Sequence, residues 1–198
     1  MKLLLATHNE HKQREFERLL GSGAAVRRWE LEALPDAVVL PPEDGETFAE
    51  NAFGKARAAA QATAQVSIAD DSGIAAAALG GAPGVRSARY AGEHATDRQN
   101  LDKLLREVPA GSALEYICAI AYVDPARGAE RLFEGRCSGR LAQHPTGHGG
   151  FGYDPAFLAD DGPPDKTMAE LSDEQKDAIS HRGRAVRALQ AWLESNSV

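Results

Sequence analysis

Two adjacent carboxylates, a hydroxyl and a glycine occur together at Asp70-Asp71-Ser72-Gly73, directly after the apolar residues 66–69. The apolar run predicts a buried strand, and we expect the tetrapeptide to lie where that strand gives way to a loop. Because open α/β sheets carry their sites at the carboxyl ends of strands, paired acids there favour a hard cation such as Mg²⁺. The same residue types form ordinary turns, so the tetrapeptide alone leaves both interpretations open.

A group of polar residues occupies positions 7–12, between a predicted strand and a predicted helix. The N-terminus of a helix presents unpaired N–H groups and the positive end of its dipole, which makes it a natural anion site. Thr7 and Asn9 add neutral donors, and Lys12 adds a positive charge. The alternative is simple capping of the helix by Asn9, with Lys12 in solvent.

An acidic stretch at residues 43–46 precedes a predicted Ala-rich helix that contains Glu50 and Asn51. Glu43 is the better candidate to share a metal ion with Asp71, although sequence spacing does not show that the two residues meet. Glu50 and Asn51 are equally compatible with a position facing water.

A glycine-rich aromatic segment, Gly-Gly-Phe-Gly-Tyr-Asp-Pro, occupies residues 149–155. Three glycines around one aromatic residue allow close backbone approach, and an exposed Phe151 would offer its face to a nucleotide base. Asp154 would accept hydrogen bonds from ring N–H groups. The alternative is a tight turn with Phe151 packed inward.

Basic residues are found near a predicted C-terminal helix, at Lys176 and within residues 179–183, Ile-Ser-His-Arg-Gly. Cations at the start of a helix interact unfavourably with its dipole, and an anionic or carbonyl-bearing ligand would offset that energy. The alternative is that Ser180 caps the helix and Arg182 pairs with a surface carboxylate.

The remaining pattern mixes strands and helices, without an internal repeat or a low-complexity linker. It predicts an α/β protein with one domain over residues 1–198, and a two-lobed arrangement about a cleft is compatible with it. The predicted strands are 2–6, 66–69, 114–123 and 131–141, and the predicted helices are 12–20, 46–64, 97–108 with a cap at Thr96, and 179–193.

Composition excludes several classes of function. The 198 residues are 43% hydrophobic and 26% charged, as is ordinary for a soluble globular protein. The net charge of −7 argues against a protein that coats nucleic acid, although it allows binding of one small polyanion. No apolar run is long enough for a membrane span or a signal peptide, so we expect a cytoplasmic location and no membrane partner. Cys118 and Cys137 lack zinc-site spacing and are expected to be buried thiols.

Taken together, the segments resemble the inosine/xanthosine triphosphate pyrophosphatases, the Ham1-like family of house-cleaning nucleoside triphosphate diphosphatases. Each segment is moderately specific, whereas their order and spacing along the whole chain are very specific. Positions 8 and 148, often glycine and threonine in such proteins, are both histidine here. The matching segments are residues 6–12, 46–52, 69–73, 80–90, 149–155, 166–167 and 179–183.

The resemblance implies an elongated mixed β-sheet with flanking helices, two lobes around a nucleotide-binding cleft, and a homodimer. It also implies Mg²⁺-dependent cleavage of ITP, dITP or XTP to the monophosphate and pyrophosphate. Glu43 and Asp71 would hold the metal, and Asp71 would also be the general base. By position, Thr7, Asn9 and Lys12 would hold phosphates, and His8, Glu10 and His11 between them are also implied to bind substrate. The residues implied to line the nucleoside pocket are Ser72, Phe151, Gly152, Tyr153, Asp154, Lys176, His181 and Arg182.

Other functions stay open at this level. A pyrophosphatase for modified pyrimidine triphosphates would share the architecture, and a phosphatase would release orthophosphate first. A nucleotide-binding module without turnover is disfavoured, because binding a polyanion gains little from two further carboxylates without a metal ion.

Overall fold

The structure, a computed structural model, describes residues 2–21 and 29–196. Among the described residues, six strands form one sheet in the order β2 (Glu30–Ala33), β1 (Lys2–Leu5), β3 (Ser67–Ala76), β4 (Ala113–Asp124), β5 (Ala129–Leu141) and β6 (Phe157–Ala159). Strand β1 is parallel to both β2 and β3, and β5 is antiparallel to β6. Within the described residues no helix is both long and apolar enough to span a membrane. The α-helices are α1 Glu10–Gly21, α2 Phe48–Thr63, α3 Asp97–Glu107, α4 Asp173–Ile179 and α5 His181–Asn196. Short 3₁₀ helices occur at Ala77–Leu79, Gly84–Arg89, Asp154–Ala156 and Met168–Glu170.

The chain divides into two compact units. The first unit comprises Met1–Asp71, Cys118–Glu134 and Ala185–Val198, and the second comprises Ser72–Ile117 and Gly135–Arg184. Each unit has a hydrophobic core of its own, because the buried clusters fall entirely within one unit or the other.

In the first unit, helices α1 and α2 pack against strand β1. Phe16 of α1 packs with Leu3 and Leu5 of β1, as one face of an amphipathic helix is expected to do. Alanines of α2 line a second cluster with Leu4, and their small side chains let the helix lie close to the strand. Helix α2 begins with a capping box in which Thr47 and Glu50 satisfy each other's backbone N–H groups.

In the second unit, Leu101 and Leu104 of α3 pack with Ile74 of β3 and Tyr116 of β4. These leucines form the buried face of α3, and the predicted helix and its cap at Thr96 are confirmed. Both predicted cysteine environments are confirmed as well, because the two cysteines are buried free thiols.

Strand β3 corrects the predicted position of the acidic tetrapeptide. We expected Asp70-Asp71-Ser72-Gly73 at the end of a strand, but all four residues lie inside β3. Asp70 is 1% exposed and Asp71 4% exposed. The turn interpretation is wrong because residues 70–73 are extended backbone of β3. At Gly73 a Cβ would lie 2.4 Å from Ser87 Oγ, so the strand tolerates no side chain there.

Other elements differ from the prediction at the C-terminal end. The single helix predicted over residues 179–193 is preceded by α4, and Ser180 separates α4 from α5. Strands β2 and β6 were not predicted, because four and three residues are too few to show a period of two.

Candidate active site

Five charged residues of the first unit, Lys12, Glu43, Lys55, Asp70 and Asp71, form an acid–lysine cluster. The Lys55 ammonium bonds the Glu43 carboxylate and donates to the Asp70 carbonyl oxygen at 2.7 Å. Lys12 Nζ lies 3.3 Å from Asp70 Oδ1, and the Lys12 side chain is only 13% exposed. The alternative in which Lys12 lies in solvent is therefore wrong, because the ion pair with Asp70 holds it in a largely buried position.

Asn51 of α2 orients Asp71. Its side-chain amide donates to Asp71 Oδ2 at 2.8 Å and accepts from the Gly45 N–H at 2.8 Å. Asn51 is buried, so the alternative in which it faces water is wrong. Sequence reasoning did not assign a role to Asn51 or Lys55, yet a signal existed. The two polar residues stand four apart, one helical turn, on a helix otherwise rich in alanine.

Burial and neighbouring charges together shift the pKa values of Asp71, Glu43 and Lys55. Burial raises the pKa of the Asp71 carboxyl and the Glu43 charge adds to this, outweighing Lys55, Lys12 and the bond from Asn51. Burial acts in the same direction on Glu43, but the charge of Lys55 and its hydrogen bond prevail, so the pKa of Glu43 is lowered. Burial disfavours charged Lys55, yet Asp70, Glu43 and Asp71 together raise its pKa.

The donor set of the cluster fits a small hard cation. Glu43 and Asp71 lie close enough for the charge of one to raise the pKa of the other. Among the residues that the structure describes, no group of three or more His, Cys, Asp or Glu side chains is arranged to hold a metal. Mg²⁺ needs no such group, because it typically binds through one or two carboxylates together with substrate phosphates and water. The two carboxylates therefore meet the requirement for Mg²⁺ and not for a closed protein cage.

The segment before α1 has features of both interpretations offered for it, which are helix capping by Asn9 and phosphate binding by Lys12. Asn9 caps the helix, since its Oδ1 accepts from the N–H groups of His11 and Lys12 at 2.9 and 3.1 Å. The Thr7 hydroxyl accepts from the Asn9 N–H at 3.1 Å. These backbone donors have acceptors within the protein, so Lys12 Nζ is the stronger candidate for phosphate. His8, Glu10 and His11 have exposed side chains, and their predicted contacts stay predictions.

In the second unit, Asp154 is the centre of a group that also contains Tyr116, Phe151 and Lys176, the Asp154 cluster. The buried carboxylate accepts from Lys176 Nζ at 2.6 Å, from the Phe151 N–H at 2.9 Å and from the Tyr116 hydroxyl at 3.1 Å. These three donors are protein groups, and acceptance from ring N–H groups of a ligand by Asp154 stays a prediction. Gly150, at φ +66°, has no side chain to collide with this carboxylate.

Two cations lie beside the Phe151 ring. Lys176 Nζ is 5.2 Å and Arg182 Cζ is 5.7 Å from its centroid, within the range of cation–π attraction. Arg182 is 1% exposed and donates to Ser72 Oγ at 2.7 Å. Arg182 is thus buried and bonded to β3, and its pairing with a surface carboxylate stays a prediction. Phe151 itself is half-buried, so part of its surface remains accessible.

The junction of α4 and α5 positions His181 and Arg182. Ser180 Oγ accepts from the Gly183 N–H at 3.0 Å and so caps α5, as the capping alternative expected. A Cβ at Gly183 would lie 2.0 Å from the Asp177 carbonyl oxygen, which shows how closely the two helices meet. Lys176 lies in the last turn of α4, where a cation is favourable. The predicted unfavourable position at a helix start therefore applies to His181 and Arg182 and not to Lys176.

Gly152 and Tyr153 anchor the aromatic segment. The Gly152 N–H donates to Asp97 Oδ2 at 2.9 Å, and the Tyr153 hydroxyl donates to the Ser87 carbonyl oxygen at 2.7 Å. These contacts place both residues in the support of the segment. Their predicted contacts with a nucleoside stay predictions.

Solved structures with the same architecture define the class of protein. A HAM1 protein from Coxiella burnetii is 36% identical with a TM-score of 0.86, and the match covers 98% of this chain and 99% of that one. The Ham1 protein of Staphylococcus aureus is 37% identical with a TM-score of 0.84 over the whole of both chains. The protein is thus of the α/β class with the Ham1 architecture, and the predicted mixed sheet with flanking helices is confirmed.

Sequence similarity gives the family. Residues 3–192 match the Ham1 family. A protein of Corynebacterium efficiens described as a dITP/XTP pyrophosphatase is 44% identical over 201 residues, covering 96% of this chain and 95% of that protein. The chain belongs to the Ham1 family, and the resemblance drawn from its motifs is confirmed.

Proposed function

We propose that this protein hydrolyses non-standard purine nucleoside triphosphates, ITP, dITP and XTP, to the monophosphate and pyrophosphate. Such a reaction removes these nucleotides before they can enter DNA or RNA. The observation that carries the proposal is the acid–lysine cluster, in which the buried Asp71 carboxylate feels the opposing charges of Lys55 and Glu43. The name of the Corynebacterium efficiens relative, dITP/XTP pyrophosphatase, supports the choice of substrates.

Asp71 would act as the general base. Cleavage between the α and β phosphates needs a water molecule in line with the leaving pyrophosphate and stabilisation of the charge that develops on it. Because burial raises the pKa of Asp71, its carboxylate is a stronger base than that of an ordinary aspartate. Asn51 holds this carboxylate by its 2.8 Å bond to Oδ2, so that the side chain keeps one orientation while it takes the proton.

The lysines would carry the electrostatic part of the reaction. Lys12, largely buried beside Asp70, would place its ammonium against the departing pyrophosphate. Lys55 bonds Glu43 and the Asp70 carbonyl oxygen and would keep both acids in place without contact to the substrate. Both roles depend on burial, because a charge shielded from water acts over a longer range.

Glu43 and Asp71 would hold Mg²⁺. When bound, Mg²⁺ neutralises negative charge on the phosphate oxygens. Two lysines and three carboxylates leave the cluster with one negative charge in excess, which a divalent cation would offset. The two carboxylates would thus receive the cation together with the substrate.

Selection of the base would fall to the second unit. Hypoxanthine and xanthine carry a 6-oxo acceptor, whereas adenine carries a 6-amino donor. Arg182 would donate to the first and be left unmatched by the second, and an unmatched buried donor costs about 1–3 kcal/mol, more when charged. Guanine also has a 6-oxo group, so this contact does not exclude it. Phe151, with the two cations beside it, would offer its ring to the purine face.

One assay tests the proposal. ITP, XTP, dITP, GTP, ATP and a modified pyrimidine triphosphate are supplied with Mg²⁺ and with EDTA, and the products are identified. We expect pyrophosphate and the monophosphate from ITP, dITP and XTP, only with Mg²⁺. Orthophosphate as the first product, or a preference for the pyrimidine, would contradict the proposal.

We further propose a homodimer in the cytoplasm. The motif resemblance supports the dimer, and the sequence pattern supports the location. Light scattering on the purified protein should give twice the chain mass of 21.1 kDa. A mass equal to that of one chain would contradict the dimer, and fractionation of cells that express the protein tests the location.

A further inference from the structure

Tyr116 of β4 contacts two residues that sequence reasoning placed against the nucleoside, although Tyr116 itself was not among the candidates. Its hydroxyl donates to Asp154 Oδ1 at 3.1 Å. Its ring stacks on the His181 ring, with centroids 4.5 Å apart and planes 7° from parallel. Asp154 begins a 3₁₀ helix and His181 begins α5, so one side chain links two separate elements of the second unit.

The hydroxyl bond controls the orientation of the Asp154 carboxylate. The other two donors to Asp154, Lys176 Nζ and the Phe151 N–H, both bind Oδ2. Hydrogen bonds to Oδ2 alone leave the Asp154 carboxylate able to rotate about its Cβ–Cγ bond. The Tyr116 bond at Oδ1 removes that freedom, and with it the freedom of the Lys176 ammonium beside the Phe151 ring.

The ring contact controls the His181 plane. Offset or parallel stacking of aromatic rings is worth about 0.5–1.5 kcal/mol beyond the area it buries, enough to favour one ring orientation. His181 precedes Arg182 directly, in the first turn of α5. Because the two residues are adjacent, fixing the His181 ring also restricts the positions open to the Arg182 side chain.

A purely structural role for Tyr116 has a matched comparison on the same strand. Tyr122 of β4 is 3% exposed and Tyr116 is 6% exposed. The Tyr122 ring packs edge-on against Trp192, with centroids 4.9 Å apart, in the hydrophobic core of the first unit. The Tyr116 ring contacts Phe157 in its own core, but its hydroxyl and its stacking contact go to polar residues. A comparison of Tyr122 with Tyr116 therefore distinguishes a tyrosine that only fills a hydrophobic core from one that also orients polar side chains.

We propose that Tyr116 is a positioning residue for base recognition, which fixes the Asp154 carboxylate and the His181 ring without contacting the reacting phosphates. The inference rests on the proposed function, because it assigns the second unit to the base. It predicts that loss of the Tyr116 hydroxyl weakens binding of the nucleoside part and leaves binding of the pyrophosphate part unchanged.

The test compares wild type, Tyr116→Phe and the control Tyr122→Phe. Steady-state kinetics with ITP give KM and kcat, and calorimetry gives Kd for inosine monophosphate and, separately, for inorganic pyrophosphate with Mg²⁺. For Tyr116→Phe we expect KM and the monophosphate Kd to rise about tenfold, equivalent to about 1.4 kcal/mol, with kcat and the pyrophosphate Kd unchanged. Tyr122→Phe should match wild type in all four quantities.

Each result decides one question. If wild type does not hydrolyse ITP, the proposed function fails. If wild type is active and Tyr116→Phe matches it, or loses monophosphate and pyrophosphate binding alike, the positioning role is refuted. Tyr116→Leu removes the stacking contact as well and should weaken monophosphate binding further than Tyr116→Phe. Equal binding by the two variants would refute the role of the stacked ring.

Discussion

Asp70 and Asp71 are adjacent and buried in β3, yet their surroundings predict opposite effects of the same substitution on stability. Asp70→Asn removes the carboxylate that lies 3.3 Å from Lys12 Nζ. The largely buried Lys12 ammonium would then lose its ion-pair partner Asp70, and breaking a buried pair destabilises by about 3–5 kcal/mol. For a chain of this length the midpoint of thermal unfolding should fall by about 6–20 °C.

Asp71→Asn should behave differently. Burial and the Glu43 charge raise the pKa of Asp71 in the folded chain, so the ionised form is less favourable folded than unfolded. Asparagine removes that penalty and keeps an acceptor for Asn51, so stability at neutral pH should be equal to wild type or higher. As pH falls through the raised pKa, the wild-type carboxyl becomes neutral and the penalty disappears. The advantage of the variant should therefore shrink toward acid pH.

For activity, the two variants should rank in the opposite order from their stability. Loss of a general base lowers the rate by about two to four orders of magnitude, so Asp71→Asn should be nearly inactive while it still binds nucleotide. Asp70→Asn displaces Lys12 without removing the base and should lose less activity. The assays are pyrophosphate release from ITP and thermal unfolding at neutral and acid pH. If Asp71→Asn is as destabilised as Asp70→Asn, or keeps near-normal turnover, the roles assigned to the two aspartates are wrong.

Three further substitutions test other parts of the structure. Lys55→Met removes the charge that lowers the pKa of Asp71, so the acid limb of the pH–rate profile should move to higher pH, with a loss of stability of about 3 kcal/mol. Arg182→Ala should narrow the ratio of kcat/KM between ITP and ATP, because the donor that distinguishes the 6-oxo group is lost. Gly183→Ala would place a Cβ 2.0 Å from the Asp177 carbonyl oxygen and should lower the unfolding midpoint by several degrees, about 1–3 kcal/mol.

Each of these has a matched control in the chain. Lys2 is an exposed lysine of the first unit paired with a glutamate, and Lys2→Met should leave the pH–rate profile in place. Arg184, two positions after Arg182, bonds Asp161, and its change to alanine should not alter the ITP to ATP ratio. Gly54 lies within α2 with room for a Cβ, so Gly54→Ala should stabilise by about 0.5–1 kcal/mol. A control that behaves like its test variant would contradict the corresponding prediction.

Local features were predictable because they depend on neighbours in sequence. The cap at Thr96, the amphipathic face of α3 and the turn between β4 and β5 follow from side chains within a few residues of each other. The Asn9 cap of α1 was predictable for the same reason. The motifs that carry the family resemblance are also short, and their order along the chain needs no coordinates.

An α/β fold, the family and most residues considered for the site could be predicted without a structure, because periodicity, caps and short motifs are local properties. Tertiary structure alone decided the partners of buried polar groups. Lys12 meets Asp70 across 58 positions of sequence, and Tyr116 meets Asp154 across 38. The tetrapeptide of acids, serine and glycine lies inside a strand for the same reason. A charged side chain is buried only where other groups neutralise it, and those groups can be distant in sequence. Local sequence patterns therefore do not predict them.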